Sequence, residues 1–168
     1  GGTPGIGSLK NTVLEMAAKR GIRASLDEVI ITSGATQGIG LAAKVLCNPD
    51  DVILAESPTF LGALQTFYAY EAKVVGVDMD EDGMVVDALE EKIIRHRPKF
   101  VYTIPTFQNP SGRTMPMKRR QKLLEVCKRH GVLVLEDDPY CDLRYSGDPV
   151  PPIKSLDDNG HVIYLLSF

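Results

Sequence analysis

The stretch 132–140, VLVLEDDPY, decides how the rest of the chain is read. Four apolar residues, Val132 to Leu135, run without alternation into Glu136, Asp137 and Asp138, and then into Pro139 and Tyr140. A short run that is apolar on both faces reads as a strand buried inside a parallel sheet. Three adjacent carboxylates at its end repel one another, so at least one is expected to face something cationic. A strand-end carboxylate is also an ordinary helix cap or turn residue, and the stretch alone leaves that alternative open.

The same alternation extends to both sides. Upstream, Ser8 reads as an N-cap, and Leu9, Val13, Met16 and Ala17 form a helical stripe that stops at Gly21. Val29–Thr32 reads as a short β-branched strand, followed by SGATQGIG (33–40) and an apolar helix through Leu46. VILAESP (52–58) is a strand stopped by a proline, with a helix through Tyr70 behind it. KVVGVDMD (73–80) is a strand, DALEEKIIRHR (87–97) a helix and KFVYTIP (99–105) a strand. The loop TFQNPSGRTMP (106–116) leads into a helix from about Met117 to His130, and a proline-rich stretch separates the opening strand from a last one, Val162–Leu166. Six strands separated mostly by helices predict an α/β fold: a mostly parallel sheet covered by helices on both faces. Ligands of such sheets bind at the carboxyl ends of the strands. The unusual residues collect there: Ser33–Gln37, Ser57–Phe60, Pro105–Gly112, Asp137–Tyr140 and Ser167.

Bulk properties narrow the function classes. A chain of 168 residues fits one domain, and a formal charge of −3 offers no electrostatic case for nucleic acid or an anionic membrane. The one basic cluster, Lys118-Arg119-Arg120, opens an amphipathic helix and reads as a solvated face. Three cysteines, Cys47, Cys127 and Cys141, lack metal-ligand spacing and read as free thiols of a reducing cytoplasm. No apolar run approaches the roughly 18 residues of a membrane span, and the glycine-rich, polar start does not resemble a signal peptide.

The loop IITSGATQGIG (30–40) offers backbone N–H groups at a helix start, where the dipole favours an anion. It is equally a tight strand-to-helix turn. Gly34, Gly38 and Gly40 also resemble the spacing of a short-chain dehydrogenase loop, with Glu56 as the ribose-binding acid. Against that reading, a full helix precedes the first strand and no Tyr-x-x-x-Lys pair occurs. It also leaves TFQNPSG and EDDPY without a role.

Taken together, SGATQG, ESPTF, PTFQNPSG, EDDPY and the terminal Ser-Phe resemble the fold-type I pyridoxal-5′-phosphate enzymes, and within them the class I and II aminotransferases. The PTFQNPSG wording is most similar to the branch holding 2-aminoadipate and broad-specificity aminotransferases, which the aminotransferase-like domains of MocR-type regulators share. The resemblance covers nearly the whole chain and implies the large-domain core of that fold, with pyridoxal 5′-phosphate (PLP) as cofactor. It implies amino acid and 2-oxo acid substrates, a homodimer, a cytoplasmic enzyme, and no nucleic-acid or membrane partner.

The resemblance also implies roles. Asp137 would pair with the pyridine nitrogen and keep it protonated, so that the ring absorbs the electrons of a substrate carbanion. Asn109 and Tyr140 would hydrogen-bond the phenolic oxygen, and Pro110 would follow a cis bond. Phe60 would stack on the ring. Gly34, Ala35 and Thr36 would hold the phosphate at the helix start, with Ser167 adding a hydroxyl. Asp137 and Tyr140 are the catalytic candidates.

The family's Schiff-base lysine follows three positions after the serine that Ser167 matches, and no lysine stands there. The expectation is therefore a truncated core, residues 1–168, without the small domain and final large-domain strand, and inactive as it stands. Val162–Phe168 is expected to fray or pack poorly. Two further readings stay open: a MocR-like sensor domain and an NAD(P)-dependent oxidoreductase.

Overall fold

The computed structural model describes residues 2–167. Along it run α1 (Gly7–Lys19), α2 (Ala35–Leu46), β1 (Val52–Ser57), α3 (Leu61–Ala69), β2 (Lys73–Asp80) and β3 (Gly83–Met84). There follow α4 (Val86–His96), β4 (Phe100–Thr103), α5 (Met117–Arg129), β5 (Leu133–Asp138) and β6 (Val162–Leu166). The strands form one sheet in the order β3-β2-β1-β4-β5-β6. All neighbours pair in parallel except β3, which closes antiparallel on β2.

Adjacent residues of a strand point to opposite faces, and two separate cores result. Leu54, Val77, Val101, Val134 and Val162 face one way, where Leu89 and Ile93 of α4 and Leu123 and Cys127 of α5 cover them. Ile53, Ala55, Phe100, Tyr102 and Leu135 face the other way, under Ile39 and Ala43 of α2 and Ala63 and Phe67 of α3. The α/β fold with helices on both faces is thus present as expected. Phe67 meets Phe100 and Tyr102 edge-on, with ring centroids 5.7 and 5.5 Å away. That packing fixes the direction in which Tyr102 aims its hydroxyl.

From β1 the chain steps to β2 on one side and then crosses to β4 on the other. The topological switch point therefore lies between β1 and β4, where successive loops diverge and leave a crevice beyond the strand ends. All five parallel strands deliver their carboxyl ends to that edge.

Four expectations change. Val29–Thr32 forms no strand: the Ile31 N–H goes to the Pro4 carbonyl, and Ile30 is largely exposed. The sixth strand is instead the short β3, where Gly83 takes φ +91° to turn the chain back. Ser8 lies inside α1; Ile6 occupies the cap position without a side-chain bond, and the Ser8 carbonyl accepts from Thr12 Oγ1. In the basic cluster, Arg120 is not solvated but 0 % exposed. Its guanidinium donates to the carbonyls of Met115, Pro105 and Pro151 and to Thr106 Oγ1, so it ties three loop segments together. A charge buried that deeply is tolerated because its donors are satisfied.

The terminal strand is more regular than expected. Val162 to Leu166 pair in unbroken register with Val134 to Asp138, although Ile163 stays 37 % exposed and Tyr164 to Leu166 are only half-buried. Phe168 lies outside the described residues.

Candidate cofactor site

The site begins with β5, whose alternation sends its acids to opposite faces. Asp137 points to the side of α2 and α3, where Tyr102 of β4 donates its hydroxyl to Asp137 Oδ2 at 2.7 Å. Asp137 is 2 % exposed, and its Oδ1 is buried with no partner among the described residues. A buried acceptor left open costs about 1–3 kcal/mol, so this oxygen calls for a donor from outside the chain. Burial pushes the Asp137 carboxyl up to about 6; the Tyr102 hydroxyl pulls it down and the charge of Asp138 adds to the rise. The same burial and the nearby Asp137 charge drive the Tyr102 phenol well above its ordinary range.

The α2 start lies on the same side of the sheet. Gly38, in the first turns of α2, packs so closely on Leu165 that an added Cβ would overlap its side chain. Leu165 is in turn the register partner of Asp137. The opening turn of α2, with Gly34, Ala35 and Thr36, therefore sits over the ends of β5 and β6. Gly34 is the cap residue, with φ +85° that favours glycine, and a Cβ there would meet nothing within 4 Å. Ser33 N–H is taken by Gln37 Oε1 at 2.6 Å, which closes the turn, and Gly34 and Thr36 at the helix start are exposed. Ser167, half-buried, follows β6 directly along this edge.

From the other side of the crevice comes the loop after β4. Asn109–Pro110 is a cis bond, as expected, and so is Ser57–Pro58. Asn109 Nδ2 reaches Tyr140 Oη at 3.4 Å, which joins the β4 and β5 loops. These two residues line an open cleft of about 500 Å³ together with Phe107, Pro110 and Leu143. Phe60 caps α3, half-buried on the α2/α3 side, with its ring lying directly against Gly62.

Thus Asp137, Asn109, Tyr140 and the α2 start converge on one sheet edge, with Phe60 and Ser167 at its border. Sequence reasoning missed Tyr102, although a tyrosine within the buried run of β4 signals that its hydroxyl has a partner. It also missed that, among the described residues, the acids form no ion pair with a cation. Glu136 accepts from the Ile153 and Lys154 N–H groups, and Asp138 accepts from Tyr164 Oη, itself backed by Arg20. Asp138 Oδ1 is likewise buried and open. Glu56 is 2 % exposed and engaged by Thr103, Ile104 and Gln108, so it is not free to hold a ribose. That arrangement, and the missing strand before the glycine turn, remove the dehydrogenase reading.

Comparison with known proteins agrees with the geometry. The family model "Aminotransferase class I and II" matches residues 1–168. Aromatic-amino-acid aminotransferase 1 of Thermococcus litoralis is 45% identical over 174 aligned positions, spanning 100% of this chain and 42% of that protein. The 2-aminoadipate transaminase of Thermus thermophilus is 39% identical over 84% of this chain and 36% of its own length. A crystal structure of Pyrococcus horikoshii kynurenine aminotransferase in complex with PMP superimposes with a TM-score of 0.94 at 44% identity, covering 100% of this chain and 43% of that one. Regulatory proteins also match, among them the "Probable rhizopine catabolism regulatory protein MocR" of Rhizobium meliloti, at 32% identity over 95% of this chain and 32% of its own length. The chain spans about two-fifths of the length of the aminotransferases it matches. With a family model matched from end to end and the sheet edge built as described, the chain belongs to the class I and II aminotransferases.

Proposed function

We propose that this chain is the cofactor-binding large-domain core of a PLP-dependent aminotransferase that moves an amino group between an amino acid and a 2-oxo acid, acting as a homodimer. The observation that carries the reading is the open, buried Oδ1 of Asp137 on the same sheet edge as the exposed start of α2. A protonated pyridine nitrogen is a donor of the required kind, and a phosphate ester is the anion that a helix start favours.

When bound, PLP supplies an electron sink for a substrate carbanion. The residues of this chain hold and tune it. Asp137 accepts the ring N–H and, as a carboxylate, keeps that proton in place; Tyr102 fixes its second oxygen. Asn109 and Tyr140 offer their side-chain donors to the phenolic oxygen and stabilise its anionic form. Gly34, Ala35 and Thr36 present N–H groups to the phosphate, Ser167 adds a hydroxyl, and Phe60 covers one face of the ring. Asp137 and Tyr140 are the catalytic residues of this reading.

The intact protein, titrated with PLP, is expected to develop the absorbance of bound cofactor and to convert an aromatic amino acid or 2-aminoadipate, with a 2-oxo acid acceptor, to the corresponding oxo acid. Absence of both would refute the proposal. The match to MocR-type regulators supports a second reading, a sensor of the same cofactor. Tight PLP binding without amino transfer, and DNA affinity that changes with PLP, would identify it.

A further inference from the structure

Glu56 and Gln108 form a buried unit beneath the loop that carries Asn109. Gln108 is 2 % exposed, and each atom of its amide meets a partner of the right kind. Oε1 accepts from the Ser111 N–H at 2.9 Å, while Nε2 donates to Glu56 Oε2 at 3.1 Å and to the Pro58 carbonyl at 2.9 Å. The Gln108 backbone closes the turn as well: its N–H goes to the Arg113 carbonyl at 2.8 Å, and its carbonyl accepts from Gly112 N at 2.6 Å. Glu56, at the end of β1, takes Thr103 Oγ1 at 2.6 Å and the Ile104 N–H at 3.2 Å. One carboxylate thus spans the switch point between β1 and β4 and grips the end of β4 at Thr103 and the loop after it at Ile104 and Gln108.

We propose that Glu56 and Gln108 are a positioning pair that sets the backbone of residues 108–112 and so fixes Asn109 against Tyr140. The inference rests on the reading that Asn109 and Tyr140 face the cofactor's phenolic oxygen. Neither Glu56 nor Gln108 needs to touch the cofactor. A buried carboxylate joined to a buried amide holds a loop more rigidly than exposed partners could, because breaking it leaves unpaired polar groups in the interior. The carboxyl of Glu56 is consistent with such burial: desolvation pushes it up to about 7, against the pull of its three donors and with the Asp137 charge adding to the rise.

The test uses the intact protein loaded with PLP and reads the pH midpoint at which the cofactor's visible absorbance changes between its protonated and deprotonated forms. A donor to the phenolic oxygen lowers that midpoint, so misplacing Asn109 raises it. Gln108→Ala is expected to raise the midpoint by about 1 pH unit, the scale of one lost hydrogen bond to a charged group. Asn109→Ala is expected to shift it in the same direction by at least as much. The isosteric Glu56→Gln, which keeps shape and is expected to fold even where Gln108→Ala does not, is expected to give a smaller rise of the same sign. PLP affinity in both positioning variants should change by no more than about tenfold, the lower end of what losing an indirect partner costs. If Asn109→Ala moves the midpoint while folded Gln108→Ala and Glu56→Gln do not, the positioning role is overturned and the cofactor reading stands. If Asn109→Ala and Tyr140→Phe leave the midpoint unmoved, the cofactor reading itself fails and the inference falls with it.

Discussion

Glu136 and Asp137 are neighbours on one strand, equally buried, and their surroundings differ in kind. Glu136 faces α5, and both its oxygens are filled by the N–H groups of Ile153 and Lys154 at 2.7 and 2.8 Å. Asp137 faces α2, has one oxygen filled by Tyr102, and keeps the other open. Burial raises both, Glu136 to about 7 and Asp137 to about 6. A displaced carboxyl therefore does not distinguish structure from function here. What distinguishes these two is whether the chain completes their hydrogen bonds, together with the face on which the open atom lies, since Asp138 Oδ1 is also open but on the Glu136 side of the strand. Glu136 anchors the loop 152–154 and is finished; Asp137 waits for a donor.

The largest effect should come from breaking the open side. Asp137→Ala in the intact protein is expected to lower amino transfer by on the order of 10²–10³-fold, the scale of losing one preorganised electrostatic partner. Steady-state kinetics with saturating PLP check this. Glu136→Ala should leave PLP affinity near its starting value while destabilising the fold by about 2–3 kcal/mol, since one buried and one part-buried N–H group lose their acceptor. Urea unfolding followed by circular dichroism measures that loss. A result in which the two variants exchange these phenotypes would invert the comparison.

Protonation gives a subtler separation. A bound ring N–H needs the Asp137 carboxylate, so PLP affinity is expected to fall as pH drops below about 6. Tyr102→Phe removes a bond that holds the Asp137 carboxyl down, so the fall should begin at a higher pH. For Glu136 the consequence is on stability. Its folded value of about 7 lies above the ordinary 4.5, so the folded state binds the proton more tightly. Its contribution is fully present below about pH 4.5 and is lost as pH rises through 7. Unfolding free energy measured across pH 4–8 in the parent and in Glu136→Gln reports that slope, which the variant should flatten.

Much of the sheet was legible in the sequence, because buried parallel strands announce themselves as short apolar runs. VLVLEDD and VIYLL fell within a residue of β5 and β6. Val29–Thr32 carried the same β-branched signal and formed no strand, since a strand requires a pairing neighbour and none of the described residues supplies one. The site candidates Asp137, Asn109 and Tyr140 were readable from their motifs. Tyr102, Gln108 and Glu56 were not, because their importance comes from bonds between residues 35 to 52 positions apart. Arg120 misled for the same reason: the charge was visible, but the four acceptors around it come from loops before and after its helix.

The central claim is that the open Asp137 oxygen receives the cofactor's ring N–H. The most direct measurement compares binding of PLP and of its 1-deaza analogue, in which carbon replaces the ring nitrogen, to the intact protein and to Asp137→Ala. The account predicts that the parent protein prefers PLP by about tenfold or more, the worth of a hydrogen bond to a charged group, and that Asp137→Ala binds the two alike. Equal affinity of the parent protein for both, or a preference that survives in Asp137→Ala, would contradict it.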